Sequence, residues 1–141
     1  MARPTELFVD TAGWANILDD RQPYHIPAPA FYRDARQQGR TLVTTNYVMA
    51  ELVSVLISPV RTPRPILIRL VSSLGASSHI EVVQVDPALD EQAWQLLVRR
   101  PDKDYSLVDC VSFVIMQQRG LTDALTTDHH FEQAGFTRLL R

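Results

Sequence analysis

The chain has few of the residues that staple proteins together. Cysteine occurs once, at Cys110, which excludes an internal disulfide framework and leaves a zinc ribbon without ligands. Long apolar runs are missing as well. Stretches without a charge, such as residues 41–50 and 52–60, are too short and too polar to span a bilayer. No basic-then-apolar leader opens the sequence. Lysine also occurs once, at Lys103, against thirteen arginines, and GC-rich coding accounts for that bias more simply than phosphate binding does. Sixteen acids against fourteen bases leave a net charge of −2, so no global field draws the protein to nucleic acid or anionic lipid. A bound metal would reverse the local charge where it matters. These absences lead us to expect a soluble, cytoplasmic protein with no membrane partner.

What is present is ordinary globular material, with 45% hydrophobic and 21% charged residues over 141 positions. That suits one domain, residues 1–141, burying roughly two-thirds of the surface its unfolded chain exposes. Short apolar runs at residues 6–9, 41–44, 80–85, 124–127 and 136–140 read as strands. Helical patterns fall between them, at residues 11–20, 30–38, 46–57, 66–74, 86–100, 106–119 and 129–134. Pro23, Pro27 and Pro29 are expected to break the chain before the second helix, and residues 75–78 to form a turn. Short strands alternating with helices predict an α/β fold with a parallel sheet covered on both faces.

In such sheets ligands bind outside the carboxyl ends of the strands. Asp10 closes the first strand and Asp128 follows the run 124–127. Either residue alone suits the N-cap of the next helix. The pair at equivalent places on two strands shifts the balance toward a site. Glu51 is the only charged residue between Arg40 and Arg61. It shares a narrow polar stripe with Tyr47, Ser54 and Ser58, or else aims at a cation in a cleft. Asp109 lies three residues after Ser106, the spacing of a capping box, and the first turn of its helix points it toward the same sheet edge. Four carboxylates suit hard Mg²⁺ or Mn²⁺ rather than zinc. Such ions support in-line displacement at phosphorus. His129 and His130 are expected to point in different directions and to make no zinc site.

Asp10-Thr11-Ala12-Gly13 copies the DxxG element of small GTPases, but the nine residues before it contain no glycine and so no phosphate loop. The Asp104–Phe113 segment, the Ala124–Phe131 segment with Ala134-Gly135-Phe136, the opening Phe8-Val9-Asp10-Thr11 and Ala50-Glu51-Leu52 follow one another in order. Together they resemble the PIN-domain family and, within it, the VapC-type toxin ribonucleases. The resemblance implies a three-layer α/β/α fold with about five short, mainly parallel strands. It implies a Mg²⁺- or Mn²⁺-dependent endoribonuclease acting as a homodimer that an antitoxin holds inactive. By the same resemblance Asp10 and Asp109 are the principal metal ligands. Glu51 is a ligand or orients the attacking water, and Asp128 is the fourth acid. Ser106 and Thr127 support those carboxylates, while Asp104 is an additional acid beside the ligands rather than one of them. Arg61, Arg64 and Arg69, after the Glu51 helix, are candidates to line an RNA path, with surface solubility an equal explanation. The alternatives are a PIN-type RNA-processing nuclease without an antitoxin and a non-catalytic binding module.

Overall fold

The first strand, β1 (Glu6–Val9), is a four-residue run whose last three side chains are buried. The structure, a computed structural model, describes residues 5–141; residues 1–4 of the expected domain lie outside the described residues. After β1 come α1 (Thr11–Leu18), α2 (Pro27–Gln37), β2 (Thr41–Thr45), α3 (Asn46–Ile57) and α4 (Arg64–Ala76). Then follow β3 (Ile80–Val83), α5 (Pro87–Arg99), α6 (Leu107–Arg119), β4 (Asp123–Leu125), α7 (His129–Gln133) and β5 (Thr137–Arg138).

The strands form one sheet in the order β3-β2-β1-β4-β5, with every pairing parallel. From β1 the chain walks outward to β2 and β3, then returns to β1's other side for β4 and β5. Right-handed crossovers put α1 to α4 on one face and α5 to α7 on the other. The helix contacts agree, with α1 on α2 and α3, α3 on α4, α5 on α6 and α6 on α7. Phe8, Val9, Leu42, Val43, Ala124 and Leu125 of the three central strands are fully buried between these layers. The expected α/β fold of five parallel strands with helices on both faces is therefore correct. The reversal of direction between β1 and β4 is a topological switch point, where such sheets open a crevice.

Register aligns the two strand ends there. Phe8 lies opposite Ala124 and Val9 opposite Leu125, which brings Asp10 beside Thr126. One glycine makes the neighbouring helix fit. A Cβ at Gly13 would overlap the carbonyl oxygen of Leu125 and lie 2.9 Å from Val9 Cγ1, so the first turn of α1 packs directly on strand backbone. Trp14, fully buried behind it, donates its indole N–H to Thr44 Oγ1 at 3.2 Å, satisfying its one polar atom.

Several boundaries differ from the sequence reading. α2 begins at Pro27 rather than residue 30, because proline within the first helical turn gives up only an N–H that has no helical partner. α4 begins at Arg64 and runs through Gly75 to Ala76, where a turn was expected; buried Leu67 and Leu74 hold it down. β4 ends at Leu125, two residues early; Thr126 is buried beside Asp10 and Thr127 lines the crevice. β3 and β5 are likewise shorter than expected.

Gly13→Ala should cost about 3 kcal/mol, the upper range for overpacking against rigid neighbours. Urea denaturation of the two proteins measures it. A midpoint unchanged by the substitution would mean that α1 relaxes away from Leu125 freely.

Candidate active site

Each acid singled out in the sequence reaches the crevice by a different route. Asp10 is the N-cap of α1; its Oδ1 accepts from Gly13 N at 3.0 Å, and its Oδ2 accepts from the Thr126 hydroxyl at 2.7 Å. Asp128 is the N-cap of α7 and accepts from His130 N at 2.9 Å. Asp109 and Ser106 form the capping box read from their spacing, with Asp109 N donating to Ser106 Oγ at 3.0 Å and Ser106 N to Asp109 Oδ2 at 3.1 Å. Glu51, in the second turn of α3, accepts from the Thr11 hydroxyl across the α1–α3 contact. For Asp10, Asp109 and Asp128, capping and facing the crevice are not alternatives. The cap fixes the carboxylate that the crevice receives.

The four acids and Thr127 line one cleft of about 310 Å³. Ala12, Ala15, Val55, Pro59 and Val60 line it as well, with polar Thr11, Asn16 and Gln22. Ser106 acts from outside the lining through its bond to Asp109. Asp104 is exposed and does not line the cleft. Arg61, with a left-handed backbone (φ 60°), lines a separate pocket beside Leu18 and Asp20, and Arg64 and Arg69 are exposed on α4. None of the three arginines reaches the acid cleft.

Three participants were not anticipated. Thr126 holds two acids at once, donating to Asp10 while accepting from Asp128 N at 2.9 Å. Its only sequence signal was adjacency to Thr127. Thr11 holds Glu51 across forty positions, and no local pattern predicts that. His130 was set aside, yet its Nδ1 lies 3.2 Å from both Asp109 Oδ2 and Asp128 Oδ1. The expectation that His129 and His130 point apart is wrong. Their ring centroids are 4.5 Å apart, and Asp128, His129 and His130 each place one ligand atom within 4.8 Å of the others.

Burial and crowding move the ionisation of two of these acids. Burial pushes Asp10 up to about 7, with Asp128 and Asp109 adding repulsion, while the bonds from Gly13 and Thr126 only partly oppose it. Asp109 is raised too, mainly by burial and then by Asp128 and Glu51, against the Ser106 amide and His130. No cationic side chain among the described residues forms an ion pair with Asp10. The crevice is thus rich in carboxylate oxygens, with the His130 imidazole beside two of them, a donor set that fits a hard divalent ion.

An open parallel sheet with carboxylates gathered at its switch point defines the class. Residues 7–137 match the PIN domain, and the chain belongs to the PIN-domain family, whose nucleases hydrolyse RNA and generally use divalent metal ions. Among known proteins the chain is similar to the 23S rRNA-specific endonuclease VapC20 of Mycobacterium tuberculosis, from two strains of that organism. Each is 29% identical over 133 residues, covering 94% of this chain and 97% of the relative. The crystal structure of the M. tuberculosis VapC20 protein, described as a sarcin-ricin loop cleaving toxin, superimposes with a TM-score of 0.83 at 28% identity. That match covers 94% of this chain and 98% of the other.

A raised carboxylate makes stability depend on pH with a definite sign. Below about pH 4 Asp10 is protonated in both folded and unfolded chains, and its burial costs least. As pH climbs through 7 the unfolded chain has already released the proton, so the folded state loses stability. Without divalent metal, Asp10→Asn should therefore gain on the wild type as pH rises from 5 to 8. The part of the shift that lies above pH 5, up to about 7, limits that gain to about 3 kcal/mol. Urea denaturation at both pH values in EDTA checks it, and a difference independent of pH contradicts it.

Proposed function

We propose that this protein is a Mg²⁺- or Mn²⁺-dependent endoribonuclease and the toxin of a toxin–antitoxin pair. One observation carries the reading: four carboxylates from four separate elements line a single cleft, and the deepest of them is held near neutrality by burial with no cationic partner. Repulsion of this kind persists in a fold when an ion answers it.

Asp10 and Asp109 would be the principal holders of the metal, with Glu51 and Asp128 completing the oxygen set. A divalent ion there supplies Lewis acidity, lowering the pKa of a water and neutralising charge on phosphate oxygens. The chain's own groups prepare that site. Thr126 fixes Asp10 and Thr11 fixes Glu51 through hydroxyls, and the Ser106 backbone N–H fixes the Asp109 carboxylate, none of them adding charge. Thr127 lines the cleft beside them, and its carbonyl accepts from Arg138 Nη1 at 2.9 Å. His130 Nδ1 lies 3.2 Å from one oxygen of Asp109 and one of Asp128 and bridges the two carboxylates. Asp104 stays outside the metal set.

The similarity to VapC20 supports an RNA substrate, and structured ribosomal RNA is the first to test. The apolar side chains that line the cleft along with its acids support inhibition by an antitoxin segment. Apolar residues of that segment would pack on Ala12, Ala15, Val55 and Val60, and a basic side chain would reach the acids. Trp14 is fully buried and takes no part. A homodimer in the cytoplasm accompanies this reading; Trp94 and Val98, exposed on one face of α5, offer it an apolar surface. No helix among the described residues is long and apolar enough to cross a membrane.

Purified protein should cut RNA only with Mg²⁺ or Mn²⁺ present. Asp10→Asn and Asp109→Asn should each lose more than the roughly 10- to 100-fold typical of groups that merely orient a ligand. The same ions should raise the melting temperature of the wild type and not that of Asp10→Asn. Nuclease activity at wild-type level in both variants would show the site to be misassigned. In cells, growth arrest by the wild type, absent with Asp10→Asn and relieved by a co-expressed partner, tests the toxin role; harmless expression of both sinks it.

A further inference from the structure

A second pocket lies beyond the acids, between the end of α5, the loop into α6 and the α7–β5 turn. Its volume is about 200 Å³, with walls from Leu96, Phe113 and Phe136 and polar groups from Arg100, Tyr105 and Gln117. Tyr105 is 7% exposed, and its hydroxyl makes no hydrogen bond among the described residues. A buried hydroxyl without a partner costs the fold stability, and its persistence calls for an explanation. Arg100 is held by Asp102 through Nε and Nη2, both at 3.0 Å. The guanidinium plane is thereby fixed, and Nη1 makes no hydrogen bond among the described residues.

The pocket is joined to the cleft by rings packed edge to face. Tyr105 meets Phe113 edge-on at 4.9 Å and the His130 imidazole edge-on at 5.6 Å. His130 in turn touches Asp109 and Asp128. One aromatic ring and one imidazole therefore separate the pocket from the acids. The volume falls below the roughly 300–1,000 Å³ of drug-sized sites, so it admits a single flat ring system. Apolar walls with hydrogen-bonding groups among them match a nucleobase, whose faces stack on aromatic rings and guanidinium planes while its edges form hydrogen bonds. An aliphatic or phenyl side chain from a protein would leave the Tyr105, Gln117 and Arg100 groups unpaired. No acidic side chain lines the pocket to repel a nucleotide.

We propose that this pocket receives one unpaired base of the RNA whose backbone crosses the acid cleft, and that Tyr105 and Gln117 read its edge. The role in cleavage rests on the ribonuclease reading; binding of the base does not.

The test uses the full-length protein in EDTA, titrated by NMR with AMP, GMP, CMP and UMP in turn. One nucleotide should give saturable shifts at Tyr105, Phe113 and Gln117. Tyr105→Phe should weaken it about fivefold, the worth of one hydrogen bond, with a melting temperature unchanged or raised. Ala134→Leu, which fills the pocket, should abolish the response. If no nucleotide at millimolar concentration moves these resonances, the proposal fails. It fails also if Tyr105→Phe lowers the melting temperature while leaving nucleotide affinity intact, because the hydroxyl then serves the fold. Saturation by toluene with no nucleotide response would assign the pocket to a protein side chain and overturn the base reading. Nucleotide binding in a protein that cuts no RNA supports the pocket while the nuclease reading falls; cleavage without nucleotide binding sinks the pocket alone.

Discussion

The contact between the first turn of α1 and the backbone of Leu125 governs the rest of the site. Without a side chain at Gly13, the helix settles onto β4 closely enough for one amide and one hydroxyl to grip Asp10 from opposite sides. The same hydroxyl, on Thr126, accepts the backbone N–H of Asp128. A steric allowance of one methyl group thus sets the spacing of two strands, the aim of one acid and the turn that carries another. Burial follows from that closeness, and the elevation of Asp10 toward neutrality follows from burial.

The two ends of α6 handle charge in opposite ways. At its N-terminus Asp109 faces other acids and is restrained by a serine, a backbone amide and His130. At its C-terminus Arg119 binds Glu81 through two bonds, at 2.7 and 3.0 Å, and Glu6 through another at 2.9 Å. That clamp ties β1 to β3 across β2. Thirteen residues of helix separate the two ends by about 20 Å, more than twice the Debye length at physiological ionic strength. Attraction at one end therefore does not relieve repulsion at the other.

Much of this was legible in the chain, for local reasons. Asp10, Asp109 and Asp128 stand at capping positions, and caps are written in sequence because they join residues two or three apart. Short apolar runs gave away the strands, and their alternation with helices the parallel sheet. What escaped was the pairing of residues far apart: Thr11 with Glu51, Thr126 with Asp10, and His130 with Asp109. Those contacts come from register and helix packing, which no window of the sequence contains. The misread prolines at the start of α2 obey a local rule, since proline suits the first helical turn, whereas in α4 tertiary burial carried the helix through Gly75.

The position of β4 also sets a clock on assembly. Asp10 and Thr126 are neighbours in space but 116 positions apart in the chain, and β4 must slot in beside β1 after β2 and β3 have been made. A growing chain that has reached α5 can pair three strands, yet one edge of β1 stays open and Asp10 lacks its threonine. The cleft therefore has no geometry until synthesis passes residue 128. Such late closure of a long-range contact is slow by nature. It also means that a growing chain carries no acid cleft through most of its own synthesis.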